Sequence, residues 1–324
     1  SSNVAATGSL TIPLMKRNGF KPEFAGAVEA AASTGGMIVP PVMGAAAFIM
    51  AEMVGISYGS ICIAAFLPAI LYYVALFIIV DLQAAKTGMK GMDARELPNA
   101  KETLKEGWHY LVSLVVLIVL LVVLQWSATK AAFWSIVGLV LVDLIKRVAT
   151  KKDKITLSGY ADILVGGAKS SLMVAAATGC AGIIVGIFTA TTLNLRLSSI
   201  LIMLAGNNVV LLLLYAALGA IVLGMALPAL SVYIILAIVI APALIQMGIP
   251  ALAAHLFVFY FGCMAGITPP VGVSFYVAAG IAQADVMKTG FNSFKLAIAG
   301  FLVPFVFAFD QGILMQGSAL GIIW

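Results

Sequence analysis

Five stretches of this chain, at about 60–82, 108–126, 131–149, 170–191 and 294–312, are dominated by apolar side chains. Each is long enough to cross a bilayer, whose hydrocarbon core is about 30 Å thick and takes about 20 helical residues. The runs are too long, and too rich in Gly and Ala, for barrel strands, and they lack the alternation of a lipid-facing strand. Hydrophobic residues make up 63% of the 324 and charged residues only 10%, against about 25% charged in soluble domains. A soluble enzyme, a nucleic-acid binder and a disordered chain are all excluded by this balance. The net charge of +5 sits in short loops between apolar runs and is no footprint for nucleic acid. The expected fold class is an all-α polytopic membrane protein, with the lipid bilayer as its first partner.

Little chemistry is on offer for catalysis. Cys62, Cys180 and Cys263 are scattered through apolar segments, without the spacing of a metal site or a disulfide framework. They read as small buried hydrophobes. No HExxH, GxSxG or P-loop pattern occurs, and two histidines leave little acid–base equipment near neutral pH. Neither an enzyme nor a cofactor is expected. The chain opens on Ser-Ser-Asn-Val without Met and ends on Ile-Ile-Trp, so it reads as part of a longer membrane protein.

Orientation follows from the bias of Lys and Arg toward cytoplasmic loops. The run Lys146, Arg147, Lys151, Lys152, Lys154 is placed inside, and so is the polar connection 83–107 with Lys86, Lys90, Arg95, Lys101 and Lys105. Counting outward, Lys16, Arg17, Lys21, Lys169, Lys288 and Lys295 are also inside, and only Lys130 and Arg196 of the 18 basic residues fall outside. The acids Asp93, Glu96, Glu102 and Glu106 mark 83–107 as a solvated loop with a short surface helix. The scheme requires the broken segments 3–15 and 208–246 to enter and leave on the same side. It places the chain, multi-pass, in a bacterial or archaeal cytoplasmic membrane.

A repeat runs through the apolar segments. Ile38-Val39-Pro40-Pro41-Val42 recurs as Ile267-Thr268-Pro269-Pro270-Val271, an offset of 229 residues. At the same offset Pro13 matches Pro242 and Gly19 matches Gly248. Segment 24–56 starts near internal lysines and 250–284 ends near one, so the copies run in opposite directions. Inverted repeats are the signature of secondary transporters. Channel filters usually come from identical subunits around an axis, which weakens the channel alternative.

Each Pro-Pro pair ends a helix within the membrane, because proline lacks the N–H and clashes with the preceding turn. Carbonyls of that turn then lose their partners, a cost that lipid does not forgive. A break is therefore either a simple kink or a site, and two in inverted register favour a site. Unwound carbonyls and half-helix C-termini suit a small cation, and half-helix N-termini suit an anion. The run 208–246 is too long for one span and short for two, which fits a hairpin turning at Gly224-Met225-Ala226-Leu227-Pro228-Ala229-Leu230-Ser231. Ser1 to Ser9 would be the tip and outgoing arm of the matching hairpin, with Ser, Asn and Thr oxygens able to ligate Na⁺ or hydrogen-bond a substrate.

Other polar groups leave two readings each. Glu29, about two turns before the first break, is either functional or a structural hydrogen-bond partner of the neighbouring hairpin. Glu52, Asp285 and Asp310 fit interfacial roles. His255 reads as a satisfied histidine near the outer surface, and Trp108 with His109 as an interfacial anchor.

The stretches Asn3 to Ser9, Ile12 to Arg17 and Pro22 to Gly36, running on into Ile38-Val39-Pro40-Pro41-Val42-Met43-Gly44, resemble the large membrane subunit of TRAP transporters (tripartite ATP-independent periplasmic transporters). So do Gly224 to Pro228 and Gly266-Ile267-Thr268-Pro269-Pro270-Val271-Gly272-Val273. The wording is closest to the branch with a fused small subunit that pairs with TAXI-type binding proteins. The resemblance covers nearly the whole chain. It implies a sodium-driven importer of organic acids, fed by a periplasmic substrate-binding protein, in which a transport domain with two inverted hairpins moves elevator-fashion against a scaffold. It also implies a small membrane subunit, separate or fused in the parent protein. Scaffold helices N-terminal to the first hairpin, the ingoing arm of that hairpin and a fused subunit are not in this chain.

On this combined reading, 1–56 and 192–291 are transport domain, 57–191 scaffold and connections, and 292–324 a C-terminal span. Substrate and ion contacts are expected at Ser1, Ser2 and Asn3 of the first tip, and at Gly36, Pro40, Pro41 and Gly44 of the first break. In the second copy they are expected at Gly224, Ala226, Pro228 and Ser231 of the hairpin, and at Gly266, Thr268, Pro269, Pro270, Gly272 and Ser274 of the break. Ser2, Asn3, Gly224 and Thr268 are the expected Na⁺ ligands, Na⁺ being the coupling ion. The alternatives are a non-transporting membrane scaffold subunit, and an elevator-type anion symporter that needs no binding protein.

Overall fold

The computed structural model describes residues 2–89, 91, 99–150, 157–225 and 227–316. The expected site residues Ser1 and Ala226 lie outside the described residues, as do Lys90, Asp93, Arg95, Glu96, Lys151, Lys152 and Lys154. Every regular element among the described residues is helical. The protein is an all-α membrane protein. Among the described residues, four helical segments are long and apolar enough to cross a membrane: Tyr58–Lys86, Ala128–Lys146, Ala229–Gln246 and Val286–Phe309.

The first copy consists of α1 (Ser2–Arg17), α2 (Pro22–Gly35) and α3 (Ala45–Val54), followed by the long α4 (Tyr58–Lys86). Next come α5 (Ala100–Ile118), which continues as a π-helical turn at Val119–Val123, then α6 (Ala128–Thr150) and α7 (Leu157–Ala190). A helix absent from the sequence expectations, α8 (Leu193–Leu204), turns off at Thr192, whose φ is +53°. The segments Gly182–Ala190 and Leu193–Leu204 are bent by 78°. The second copy consists of α9 (Val209–Gly224), α10 (Ala229–Val239), α11 (Ala241–Gln246), α12 (Ala251–Ala265) and α13 (Val273–Ala282). The chain closes with α14 (Val286–Leu296), α15 (Ile298–Phe309) and a 3₁₀ turn at Gln311–Leu314.

These helices form two compact units. One comprises Ser1–Ile56, Ile61–Gly91 and Ile184–Trp324, and the other Ser57–Ser60 and Met92–Ile183. In the second, α5 packs on α6. Lys130 places its ammonium 4.0 Å from the centroid of Trp126, a cation–π contact. Its apolar side chains are largely exposed, as on Leu164 and Leu172, which suits a lipid-facing surface.

The first unit is built around α12. Its residues from Leu252 to Ala265 are all buried, as expected of a helix apolar on every face. Aromatic rings fill the space between α12 and α15: Phe257 meets Phe305 edge-on at 5.3 Å and Tyr260 meets Phe307 at 5.6 Å. Sulfur and aromatic groups also require a bare backbone here, because a Cβ on Gly300 would fall 2.5 Å from the Met264 sulfur.

The two copies share backbone geometry as well as sequence. Gly19 and Gly248, 229 apart, both turn at positive φ, +100° and +90°, a conformation that glycine adopts without steric cost. The residues that start the broken helices, Lys21 and Pro250, have φ/ψ of −60°/143° and −57°/144°. Both Pro-Pro bonds are cis. Beyond Pro-Pro-Val the register drops by one residue. Met43, at φ +44°, stands between Val42 and the N-cap Gly44, whereas Val271 is followed directly by the N-cap Gly272. The outgoing arms also differ. α1 runs unbroken through Pro13, while its counterpart parts at Ile240 into α10 and α11.

Candidate functional site

The breaks divide each interrupted helix between two sets of neighbours. In the first copy α2 packs on α1, whereas α3, beyond the break, packs on α10 and α12 of the second copy. In the second copy α12 packs on α9 and α10, whereas α13 packs on α1 and α2 of the first. The exchange is reciprocal, as a two-fold relation between the copies requires. Close approach makes it possible: a Cβ on Gly26 of α2 would lie 3.2 Å from the carbonyl oxygen of Ala278 on α13.

At the first break, polar side chains of α1 meet the last turns of α2. Thr7 and Thr11, one turn apart on α1, donate their hydroxyls to the two oxygens of Glu29. Ser33 donates to the same carboxylate at 2.9 Å, and Asn3 Nδ2 donates to Ser33 Oγ at 3.1 Å. Glu29 is buried, 6% exposed, and three hydroxyls occupy most of its acceptor capacity. Of the two readings of Glu29, its geometry matches the structural one. One residue on, Thr34 Oγ1 is buried without a hydrogen-bond partner.

Several carbonyls around the breaks do have partners in the structure. Tyr72 and Tyr73 of α4 donate to the carbonyl oxygens of Ala31 and Ala32, both at 2.8 Å, in the last turn of α2. They fit because a Cβ on Gly35 would fall 2.6 Å from the Tyr72 ring. Met37 O accepts from Gly44 N at 2.9 Å, tying the end of α2 to the start of α3. In the second copy Gly266 O accepts from Ser274 N at 3.1 Å across the break. Buried backbone groups find partners wherever geometry allows, and here side chains and the opposite half-helix supply them.

The second break is tight. Thr268 is buried and donates its hydroxyl to Met264 O at 2.8 Å, which leaves its oxygen lone pairs for another partner. A Cβ on Gly272 would lie 2.6 Å from Gly266 O, and one on Gly266 3.7 Å from Ser274 Oγ. Pro270 O accepts from the Tyr276 hydroxyl at 3.4 Å. The hairpin formed by α9 and α10 reaches this break: a Cβ on Gly224 would overlap the Cβ of Ala265, the last residue of α12. Pro228 is the N-cap of α10 and Ser231 lies in its first turn, half-buried.

The expected residues thus form two groups. Asn3 joins the end of α2 next to Gly36. Gly224, Gly266, Thr268, Gly272 and Ser274 gather at the second break. Pro40 and Pro41 occupy the first break, and Pro269 and Pro270 the second. The link between the groups runs through whole helices, α3 on α12 and α13 on α2. Ser2 opens α1. The donors are neutral hydroxyl, amide and backbone oxygens, a set suited to a hard cation of low charge. Among the described residues no group of three or more His, Cys, Asp and Glu side chains could hold a metal ion.

Other acids and the histidine have structural partners. Asp285 caps α14 by accepting from Lys288 N at 2.7 Å, and Asp310 caps the 3₁₀ turn by accepting from Gly312 N at 2.8 Å. Glu52 is exposed. His255 Nδ1 is 2.9 Å from the Tyr233 hydroxyl, buried between α10 and α12. Thr7, Thr11, Ser33 and the two tyrosines were not singled out from the sequence. The i, i+4 pairs Thr7/Thr11 and Glu29/Ser33 were the available signal.

Comparison with known proteins agrees with this architecture. The family model described as tripartite ATP-independent periplasmic transporter, DctM component, matches residues 1–321. A curated relative, the isethionate TRAP transporter permease protein DctMQ of Oleidesulfovibrio alaskensis, is 25% identical over 287 residues. The match takes in 88% of this chain and 44% of the relative, so the chain spans less than half the relative's length. With two interrupted helices packed reciprocally and a family match along nearly its full length, this chain belongs to the DctM component family of tripartite ATP-independent periplasmic transporters.

Proposed function

We propose that this chain is the permease part of a sodium-coupled secondary transporter that imports small organic acids delivered by a periplasmic substrate-binding protein. The observation that carries the proposal is the reciprocal packing of the two interrupted helices. It sets neutral oxygen donors at two breaks held in one compact unit. Na⁺ would be held by oxygens of the Asn3, Ser33 and Thr34 group and of the Thr268 and Ser274 group. The carboxylate or a similar anionic group would face half-helix N-termini such as Gly44 and Gly272. An anion entering the membrane interior is costly unless cations accompany it, which is the physical basis for coupling. The segments 1–56 and 192–291, which carry both breaks, are the moving body of an elevator. Partners are the binding protein and a small membrane subunit, as the word tripartite in the family description suggests. The relative's named substrate, isethionate, is itself a small organic anion.

The test is uptake by the complete parent complex in liposomes, with and without a sodium gradient and the binding protein. Uptake that requires both supports the proposal, and uptake indifferent to sodium overturns it. Cysteine labelling at 224–231, with and without Na⁺, separates a transporter from a passive scaffold subunit.

A further inference from the structure

A cavity of about 740 Å³ lies in the first unit where α14 packs on the start of α2, with Ile79 and Gln83 near the end of α4 on its lining. Lys21, Lys288 and Lys295 line it, against the single carboxylate of Glu23. Among the described residues no ion pair or side-chain hydrogen bond engages the three ammonium groups. Helix geometry assembles them. Lys288, Phe291, Asn292 and Lys295 follow the i, i+3, i+4, i+7 spacing and form one stripe of α14. On the other side of the helix Thr289 and Ser293 are fully buried.

Charge is only part of the lining. Phe24, Ile79 and Phe291 supply an apolar wall, and Phe291 is 54% exposed. Ile79 and Gln83 belong to α4, a helix long and apolar enough to span the membrane. Beside them on α4, Phe77, Ile78 and Leu82 are exposed. The cavity therefore opens at the rim of a lipid-facing surface. The clustering of Lys16, Lys21, Lys86, Lys288 and Lys295 near helix ends puts this rim at the cytoplasmic side, where the leaflet is anionic and basic pockets between helices take lipid headgroups.

We propose that this cavity is a binding site for an anionic phospholipid, with the phosphodiester headgroup on Lys21, Lys288 and Lys295 and an acyl chain along Phe24, Ile79 and Phe291. A free anion such as inorganic phosphate answers the lysines but leaves the apolar wall without a partner. An amphiphile answers both. Because α14 packs on α2 and α13, the lipid would also fasten together elements of both copies at their cytoplasmic end. The site is independent of sodium and of the transported anion.

The test uses the full-length parent protein, released from nanodiscs of equal phosphatidylglycerol and phosphatidylcholine and examined by native mass spectrometry. Wild type is expected to retain phosphatidylglycerol preferentially. Each Lys→Gln change at 21, 288 or 295 should weaken that preference by about fivefold, and all three together by about a hundredfold. The triple Lys→Arg variant should keep it, which guards against loss through misfolding, and Phe291→Ala should shorten retention. Equal retention of the two lipids by wild type, or undiminished preference in the triple Gln variant, overturns the proposal. Displacement of phosphatidylglycerol by millimolar inorganic phosphate, or equal binding of the deacylated headgroup, assigns the cavity to a free anion and also overturns it.

Discussion

Lys16, near the end of α1, donates its ammonium to the carbonyl oxygen of Ala282, 2.7 Å away in the last turn of α13. The hydrogen bond joins the first copy to the second. It also sets a cation at the C-terminus of a half-helix, where the helix dipole is negative.

Replacing Lys16 with Met keeps the stem and removes the charge. The expected loss is about 1 kcal/mol, rising to about 2 kcal/mol in partly buried geometry. Thermal unfolding in detergent measures it, and hydrogen exchange should rise first at the amides of 282–285. Unchanged exchange there would deny the cap any role.

Glu29→Gln tests whether that carboxylate is structural. Hydrogen bonds to a charged group contribute about 1.5–3 kcal/mol each. The hydroxyls of Thr7 and Thr11 also lie near Asn3 O and Thr7 O, at 2.8 and 3.0 Å, so they fall back on their own helix and the total loss should stay near a single bond. The sodium concentration for half-maximal uptake should shift by only a few fold, because Ser33 keeps an oxygen to donate to at position 29. A large shift in it would make Glu29 an ion-site residue after all.

Gly224 and Gly219 lie on the same helix and should respond oppositely to Ala. At Gly224 the new methyl overlaps Ala265 and pushes the hairpin off α12, so uptake should fall at least tenfold. At Gly219 the nearest atom, Ile240 Cδ1, stands 3.5 Å away. Ala there should stabilise the protein by about 0.5–1 kcal/mol through helix propensity and leave uptake intact.

Tyr72→Phe and Tyr73→Phe each remove one hydroxyl from the end of α2. Each should cost about 0.5–1.5 kcal/mol, read as a lowered unfolding temperature with protein otherwise folded. The double variant should lose more than either single one, because both hydroxyls serve adjacent carbonyls of one turn.

The interruptions were legible because each holds two adjacent prolines: α1, α4 and α15 run on through the single prolines Pro13, Pro68 and Pro304, but a Pro-Pro pair withdraws two successive N–H groups. The hairpin at 224–231 was legible for a similar reason, since Gly and Pro sit together in an apolar run. What α2 touches was not. Thr7 and Glu29 are 22 positions apart and Tyr72 is 41 beyond Ala31, and periodicity does not tell which faces meet. Tyr72 and Tyr73 looked like ordinary residues of a span. A single offset of 229 hides the slip of register at Met43, because it aligns the prolines on one side of the slip only. The helix α8 was missed because its polar residues, Asn194, Arg196, Ser198 and Ser199, made it look like a connection.

The exchange of half-helices has a bearing on origins. A lone copy would carry α3 with nothing to lie against, a bare apolar rod with its turn exposed. Any single-copy forebear would have needed a second polypeptide to close it. Fusion of two such chains would supply that mate permanently, and from then on drift in one half must be answered by the other.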